Sequence, residues 1–100
     1  MNIQINDNTL TFFLKGRIDS MNSHEVEEEV MKTLQENSGK KPLFDMAELD
    51  YISSAGLRVV LLAHKLMIGV FGNFIVKNPS PFCCQVFEAT GMDGALNIEK

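Results

Sequence analysis

Ser53 and Ser54 stand directly before the apolar run Leu57 to Ile68, and they are the residues best placed to do chemistry. A hydroxyl at a helix start can cap free backbone N–H groups, and negative charge added there meets the positive end of the helix dipole. A serine at that place is a cap, a site of charge-adding modification, or both. Nucleophilic catalysis would need more. Ser54 is not in a Gly-x-Ser-x-Gly elbow, and His24 and His64 each fall on a predicted helix, so no Ser-His-Asp triad is legible. His24 reads as a surface residue and His64 as a satisfied, partly buried one. Asp19 and Asp45 could pair as acid and base, but each falls where a strand is expected to pass into a loop and can bond backbone N–H groups there. Glu25, Glu27, Glu28 and Glu29 complement a helix dipole without converging on one point, so they read as a solvated face and not a metal site. The adjacent Cys83 and Cys84 have no partners at metal-ligand spacing and read as reduced core residues. Gly69-Val-Phe-Gly72 lacks the Lys-Ser/Thr of a P-loop and the spacing of a dinucleotide fingerprint. No catalytic group, metal or cofactor is expected, and the serine junction reads as a binding surface open to modification.

The elements that must position this junction follow from periodicity. Ile3 and Ile5, then Leu10, Phe12 and Leu14, alternate with other residues around Asn6-Asp-Asn8 and predict a hairpin that Gly16 ends. Asn22 with Glu25 resembles a capping box, and Val26, Val30 and Leu34 recur at helical spacing until Asn37-Ser-Gly39. Pro42 to Met46 has the composition of a buried strand, and Ala47 to Ile52 is expected to be the loop leading to the serines. The following helix is apolar on nearly every side and should be packed from several directions, with Arg58 and Lys65 marking one wet edge and Gly69 and Gly72 breaking it. Phe74-Ile-Val76 predicts a strand, Pro79-Ser-Pro81 a turn, Phe82 to Thr90 a helix ending at Gly91, and Leu96 with Ile98 a last strand. Phe12, Phe44, Phe74, Phe82 and Phe87 are expected in the core, and Phe13 on the opposite sheet face. The order β-β-α-β-α-β-α-β predicts an α/β fold: a mixed sheet with helices packed on one face, in a single domain over residues 1–100.

Net charge −4 with scattered Lys and Arg argues against a nucleic-acid ligand and favours a protein partner. The N-terminus lacks a basic segment followed by an apolar block, and Arg58, His64 and Lys65 interrupt the longest apolar stretch. A cytoplasmic protein without a membrane partner is the expectation.

Asp45, followed by Tyr51-Ile-Ser-Ser-Ala-Gly-Leu-Arg58, resembles the signature of the STAS domain, the family of bacterial anti-sigma factor antagonists, and Gly16-Arg-Ile-Asp19 resembles its Gly-Arg-Leu-Asp segment. The resemblance implies the STAS fold and a non-enzymatic, bacterial switch in transcription regulation. Such a switch binds an anti-sigma factor that is also a serine kinase, frees a sigma factor, and is turned off by phosphorylation, with a serine phosphatase as a further partner. Alignment on Gly56-Leu57 puts Ser54 on the phosphorylated serine, Ser53 on the family's aspartate and Ala55 where some members carry a second Ser or Thr. Because the aspartate is replaced, Ser53 stays open as the alternative. The partner surface is expected to comprise Glu48, Asp50, Ser53, Ser54, Ala55, Arg58 and Lys65, supported by Asp19, Asp45 and Gly56. Arg58 is also expected to be able to pair with an acidic loop residue. Two other readings stay open: a constitutive scaffold subunit of another protein or transporter assembly, and a small-ligand or nucleotide-binding module.

Overall fold

The alternation at the N-terminus builds the expected hairpin. In the computed structural model, which describes residues 2–71 and 74–100, β1 (Asn2–Ile5) runs antiparallel to β2 (Thr9–Ile18), with Ile3 opposite Phe12. Gly16 does not end β2. It takes φ +75°, a conformation glycine adopts without steric cost, and the strand continues to Ile18 beside a register shift.

β3 (Lys41–Ile52) lies parallel to β2 and is much longer than expected, because Ala47–Ile52 is strand and not loop. Two irregularities explain the difference. Phe13 faces Asp45 but Lys15 faces Glu48, and Gly16 faces Leu49 but Arg17 faces Tyr51, so β3 carries an extra residue at each place. Its buried residues therefore run Phe44, Met46, Leu49, Ile52, and the spacing of three breaks the period of two by which a strand is recognised. β4 (Ile75–Lys77) and β5 (Ile98–Glu99) complete a mixed sheet of order β1-β2-β3-β4-β5, in which only β1 is antiparallel.

The helices are α1 (Ser23–Glu36), α2 (Ser54–Phe71) and α3 (Pro81–Thr90), with a short 3₁₀ turn at Met92–Gly94 before β5. The element order is the one the sequence predicts. Val30 and Leu34 of α1 and Val60, Ala63 and Met67 of α2 join Leu10, Phe12, Phe44, Met46 and Val76 in one buried cluster. Phe12, Phe44 and Phe74 stack edge to face at its centre, with ring centroids 5.5 and 4.9 Å apart.

The expected capping box at Asn22 does not form. The Asn22 side chain instead accepts the Asp19 N–H (2.9 Å) and donates to the Arg17 carbonyl (2.8 Å), bracing the turn before α1. At α3, Ser80 is the cap: its hydroxyl accepts the Cys83 N–H and donates to Leu49 O at 2.6 Å, while its N–H donates to Met46 O. Of β3, only Leu43–Asp45 pairs with β4, so these bonds tie the start of α3 to the stretch of β3 edge that β4 leaves free.

α2 departs from expectation twice. It passes through Gly69 without breaking, while Gly72 lies outside the described residues. It is also not packed on all sides: Leu62, Leu66 and Ile68 are 38%, 43% and 43% exposed. α1 lies on one flank and β3 beneath, and a helix in an outer layer keeps a solvent face whatever its composition. Among the described residues no helix is long and apolar enough to cross a membrane.

Candidate functional site

The strand β3 delivers the chain to α2 at Ser53. The Ser53 N–H donates to Ile18 O (2.9 Å), its carbonyl accepts the Leu57 N–H (2.8 Å), and its hydroxyl accepts the Gly56 N–H at 3.3 Å. Those bonds define an N-cap, so Ser53 is the residue that satisfies the free N–H groups of the first turn. Ser54 is the first helical residue; it is exposed, and its hydroxyl has no hydrogen-bond partner among the described residues. Capping and accessibility are thus divided between the two serines.

The first turn of α2 sits tightly on the strand ends. A Cβ added at Gly56 would lie 2.7 Å from Ile52 Cγ1, 2.9 Å from Ile18 Cγ2 and 3.0 Å from Ile18 O. Only glycine permits this approach, which explains its place in the Ser-Ser-Ala-Gly segment. The turn after Ile18 is held by Asp19, whose carboxylate accepts the Met21 N–H (2.9 Å) and the Arg17 Nε–H (3.0 Å). The Met21 backbone bond, followed by the Arg17 side-chain bond, holds the Asp19 carboxyl below its ordinary value. Asp19 therefore supports the site indirectly, by fixing the turn beside the start of α2.

Asp45 is not one loop from Ser54 as expected. It lies opposite Phe13, whereas α2 begins beyond Ile52, opposite Ile18, so roughly 20 Å of strand intervenes. Its carboxylate accepts the Ala47 N–H (3.0 Å) and an Asn78 side-chain N–H (3.2 Å), which pins the first irregularity of β3. Glu48 and Asp50 are exposed on the second half of β3, and not on a loop. Ala55 is half-buried, while Arg58 and Lys65 are exposed. At 100° per residue Ser54, Arg58 and Lys65 fall within about 40° of one another, so they share one face of α2. Arg58 has no carboxylate partner among the described residues, whereas Arg17 pairs with Asp19 and the His24 ring lies 3.0 Å from a Glu28 carboxylate oxygen.

Side chains beyond the expected set also border the site. Arg17 lies over the Tyr51 ring, 4.5 Å from its centroid, and Tyr51 packs on Phe82 at 5.4 Å. Phe82 is 38% exposed and not a core residue, because it stacks on this outward-facing tyrosine. The sequence signal for Arg17 is its place two residues before Asp19, close enough for the guanidinium at the end of β2 to reach the carboxylate in the turn that follows. Met21, 87% exposed in the turn before α1, had no such signal. Phe13 is half-buried. His64 is not satisfied as expected: its Nδ1 is buried without a hydrogen-bond partner among the described residues, and its ring lies 5.9 Å from Phe74. Cys83 is buried with its thiol pushed up by desolvation, and Cys84 is half-buried. A groove of about 470 Å³ between β2 and α1 is lined by Lys15 and Arg17 on one side and Glu25 and Glu29 on the other. No group of three or more potential metal ligands occurs among the described residues.

The STAS domain family model matches residues 1–100. BtrV of Bordetella bronchiseptica, whose name is that of an anti-sigma factor antagonist, is 36% identical over 85 residues, covering 85% of this chain and 72% of that protein. Among solved structures, a Thermotoga maritima protein, likewise named as an anti-sigma factor antagonist, superposes with a TM-score of 0.89 at 18% identity. That match covers 99% of this chain and 85% of the other. The anti-sigma factor antagonist SpoIIAA in its unphosphorylated form superposes with a TM-score of 0.80 at 19% identity, covering 99% of this chain and 87% of the other. The last two likenesses establish the shared fold.

Proposed function

Because this chain belongs to the STAS domain family, we propose that it is an anti-sigma factor antagonist, a non-enzymatic switch that binds a serine-kinase anti-sigma factor and so frees a sigma factor. The partner contacts the start and exposed face of α2, and phosphorylation of Ser54 turns binding off. A serine phosphatase resets the switch, and the exchange takes place in the bacterial cytoplasm. The observation that carries this reading is the contrast at the junction. Ser53 spends its hydroxyl on the Gly56 N–H, whereas Ser54 is exposed and free to accept a phosphoryl group.

Phosphorylation adds about −1.5 to −2 charges at neutral pH, and the first position of a helix is where that charge is best tolerated by the fold. The partner surface meets the opposite balance. Exposed Glu48 and Asp50 already lie on the strand leading to Ser54, and a phosphate adds like charge and tightly held water to a surface otherwise complementary to a hydroxyl. Arg58, one turn along the same face, is the nearest cation in the helix sequence and would be drawn to the phosphate and away from the partner.

The test is to incubate wild type, Ser53→Ala and Ser54→Ala with the serine-kinase anti-sigma factors of the source genome, and to map phosphate by mass spectrometry. Label on wild type and Ser53→Ala but not on Ser54→Ala is expected. Label that vanishes only in Ser53→Ala transfers the role to Ser53. Failure to bind any of these kinases, with tight binding to an unrelated assembly, replaces the switch by a scaffold subunit.

A further inference from the structure

We infer that the solvent face of α2 beyond Arg58, formed by Leu62, Lys65, Leu66 and Ile68, is a docking stripe for an amphipathic helix of a partner with an acidic polar face. This deepens the reading above and depends on it only for who the partner is.

Three of the large apolar side chains exposed among the described residues, Leu62, Leu66 and Ile68, belong to this one helix. Taking Ser54 as zero, Lys65 and Arg58 fall within about 40°, Ile68 at about −40°, Leu62 at about 80° and Leu66 at about 120°. The apolar residues therefore flank both sides of the two cations. Arg58, Leu62 and Leu66, spaced by four, form a ridge of the kind that seats in the groove of another helix. From Ser54 to Ile68 the face is about 21 Å long, enough for several turns of a partner helix laid along it.

Charge selects the partner further. Helix α2 carries Arg58 and Lys65 and no Asp or Glu, in a chain with 13 Asp and Glu and net charge −4. The face is a local cationic, apolar strip on an acidic molecule, and it complements a helix whose apolar ridge is bordered by carboxylates. A second copy of this chain fits poorly, since the exposed residues of its acidic helix α1 are all polar and offer no ridge. A lipid surface fits poorly too. Leu62, Leu66 and Ile68 already have more than half of their surface covered, which leaves little to insert below a headgroup layer.

The test uses two synthetic helices of about five turns. Both have a leucine ridge, one with glutamates and the other with lysines on the remaining face, and each is titrated into the ¹⁵N-labelled protein. The glutamate helix should shift the amides from Arg58 to Gly69 and bind roughly tenfold more tightly than the lysine helix. The double variant Leu62→Gln/Leu66→Gln should weaken it by roughly tenfold while keeping the wild-type pattern of core amide shifts, the covered part of each leucine showing only as a lower thermal midpoint. Equal binding of the two helices, shifts centred elsewhere, no binding, concentration-dependent dimerisation through this face, or capture by anionic vesicles each overturns the inference. An anti-sigma factor that binds wild type and the double variant equally overturns the stripe and leaves the proposed function standing. The converse result, selective helix binding with no anti-sigma factor bound, overturns the proposed function alone.

Discussion

Ser53 and Ser54 differ by one position and by everything that matters to their chemistry. Ser53 accepts the Gly56 N–H, so Ser53→Ala should lower stability by about 0.5–2 kcal/mol, read from the urea midpoint. Ser54→Ala removes an exposed hydroxyl without a partner among the described residues and should change stability by less than about 0.5 kcal/mol. The reverse ranking would mean that Ser54 is the structural serine. Asp19 offers a pH-dependent check on the turn beside them. Its carboxyl is held below the ordinary value of 3.8 by the Met21 N–H and by Arg17. A depressed folded-state pKa stabilises the fold above the ordinary value, and that contribution is lost as pH falls through the folded value. Asp19→Asn should therefore flatten the acid limb of the stability curve, and a carboxyl NMR titration of wild type should place Asp19 below 3.8. A titration at or above that value would remove the explanation.

At the scale of elements, the site depends on how closely α2 approaches the strand ends. Gly56→Ala places a methyl group against Ile52, Ile18 and the Ile18 carbonyl, and the helix start must shift to accept it. The expected loss is on the order of 1–3 kcal/mol by chemical denaturation, together with weaker partner binding, since Ser54 moves with the turn. A stability unchanged by this substitution would show that the approach of α2 to Ile18 and Ile52 has room for a methyl group. The far side of β3 depends on Ser80, which both caps α3 and donates to Leu49 O. Ser80→Ala removes both bonds and leaves a strand-edge carbonyl short of a donor, so a loss of about 1–3 kcal/mol is expected. It should leave phosphorylation of Ser54 unchanged, because Ser80 acts on α3 and not on α2.

For the whole molecule, the proposed switch changes recognition and not folding. A phosphate on Ser54 should leave the far-UV spectrum unchanged and stabilise α2 by up to about 1 kcal/mol through the helix dipole, while partner affinity falls. A phosphorylated protein that unfolds at lower temperature than the unmodified one would contradict this. Several of these features are legible in the chain itself. Alternation at Ile3–Leu14, helical spacing at Val26–Leu34 and the Ser-Ser-Ala-Gly-Leu segment are local patterns, and local patterns suffice to specify element order and the position of the serine junction. What sequence could not decide was whatever depends on two segments meeting. The extra residues in the second half of β3 are defined only against β2, so neither its strand character nor the distance from Asp45 to Ser54 can be read from the sequence. The solvent face of α2 was hidden because burial is set by which neighbours lie alongside a helix, not by its own composition. Which of the two serines caps α2 is decided only in the folded chain, where the Gly56 N–H meets the Ser53 hydroxyl and leaves that of Ser54 exposed, because a cap is defined by where the helix starts in space.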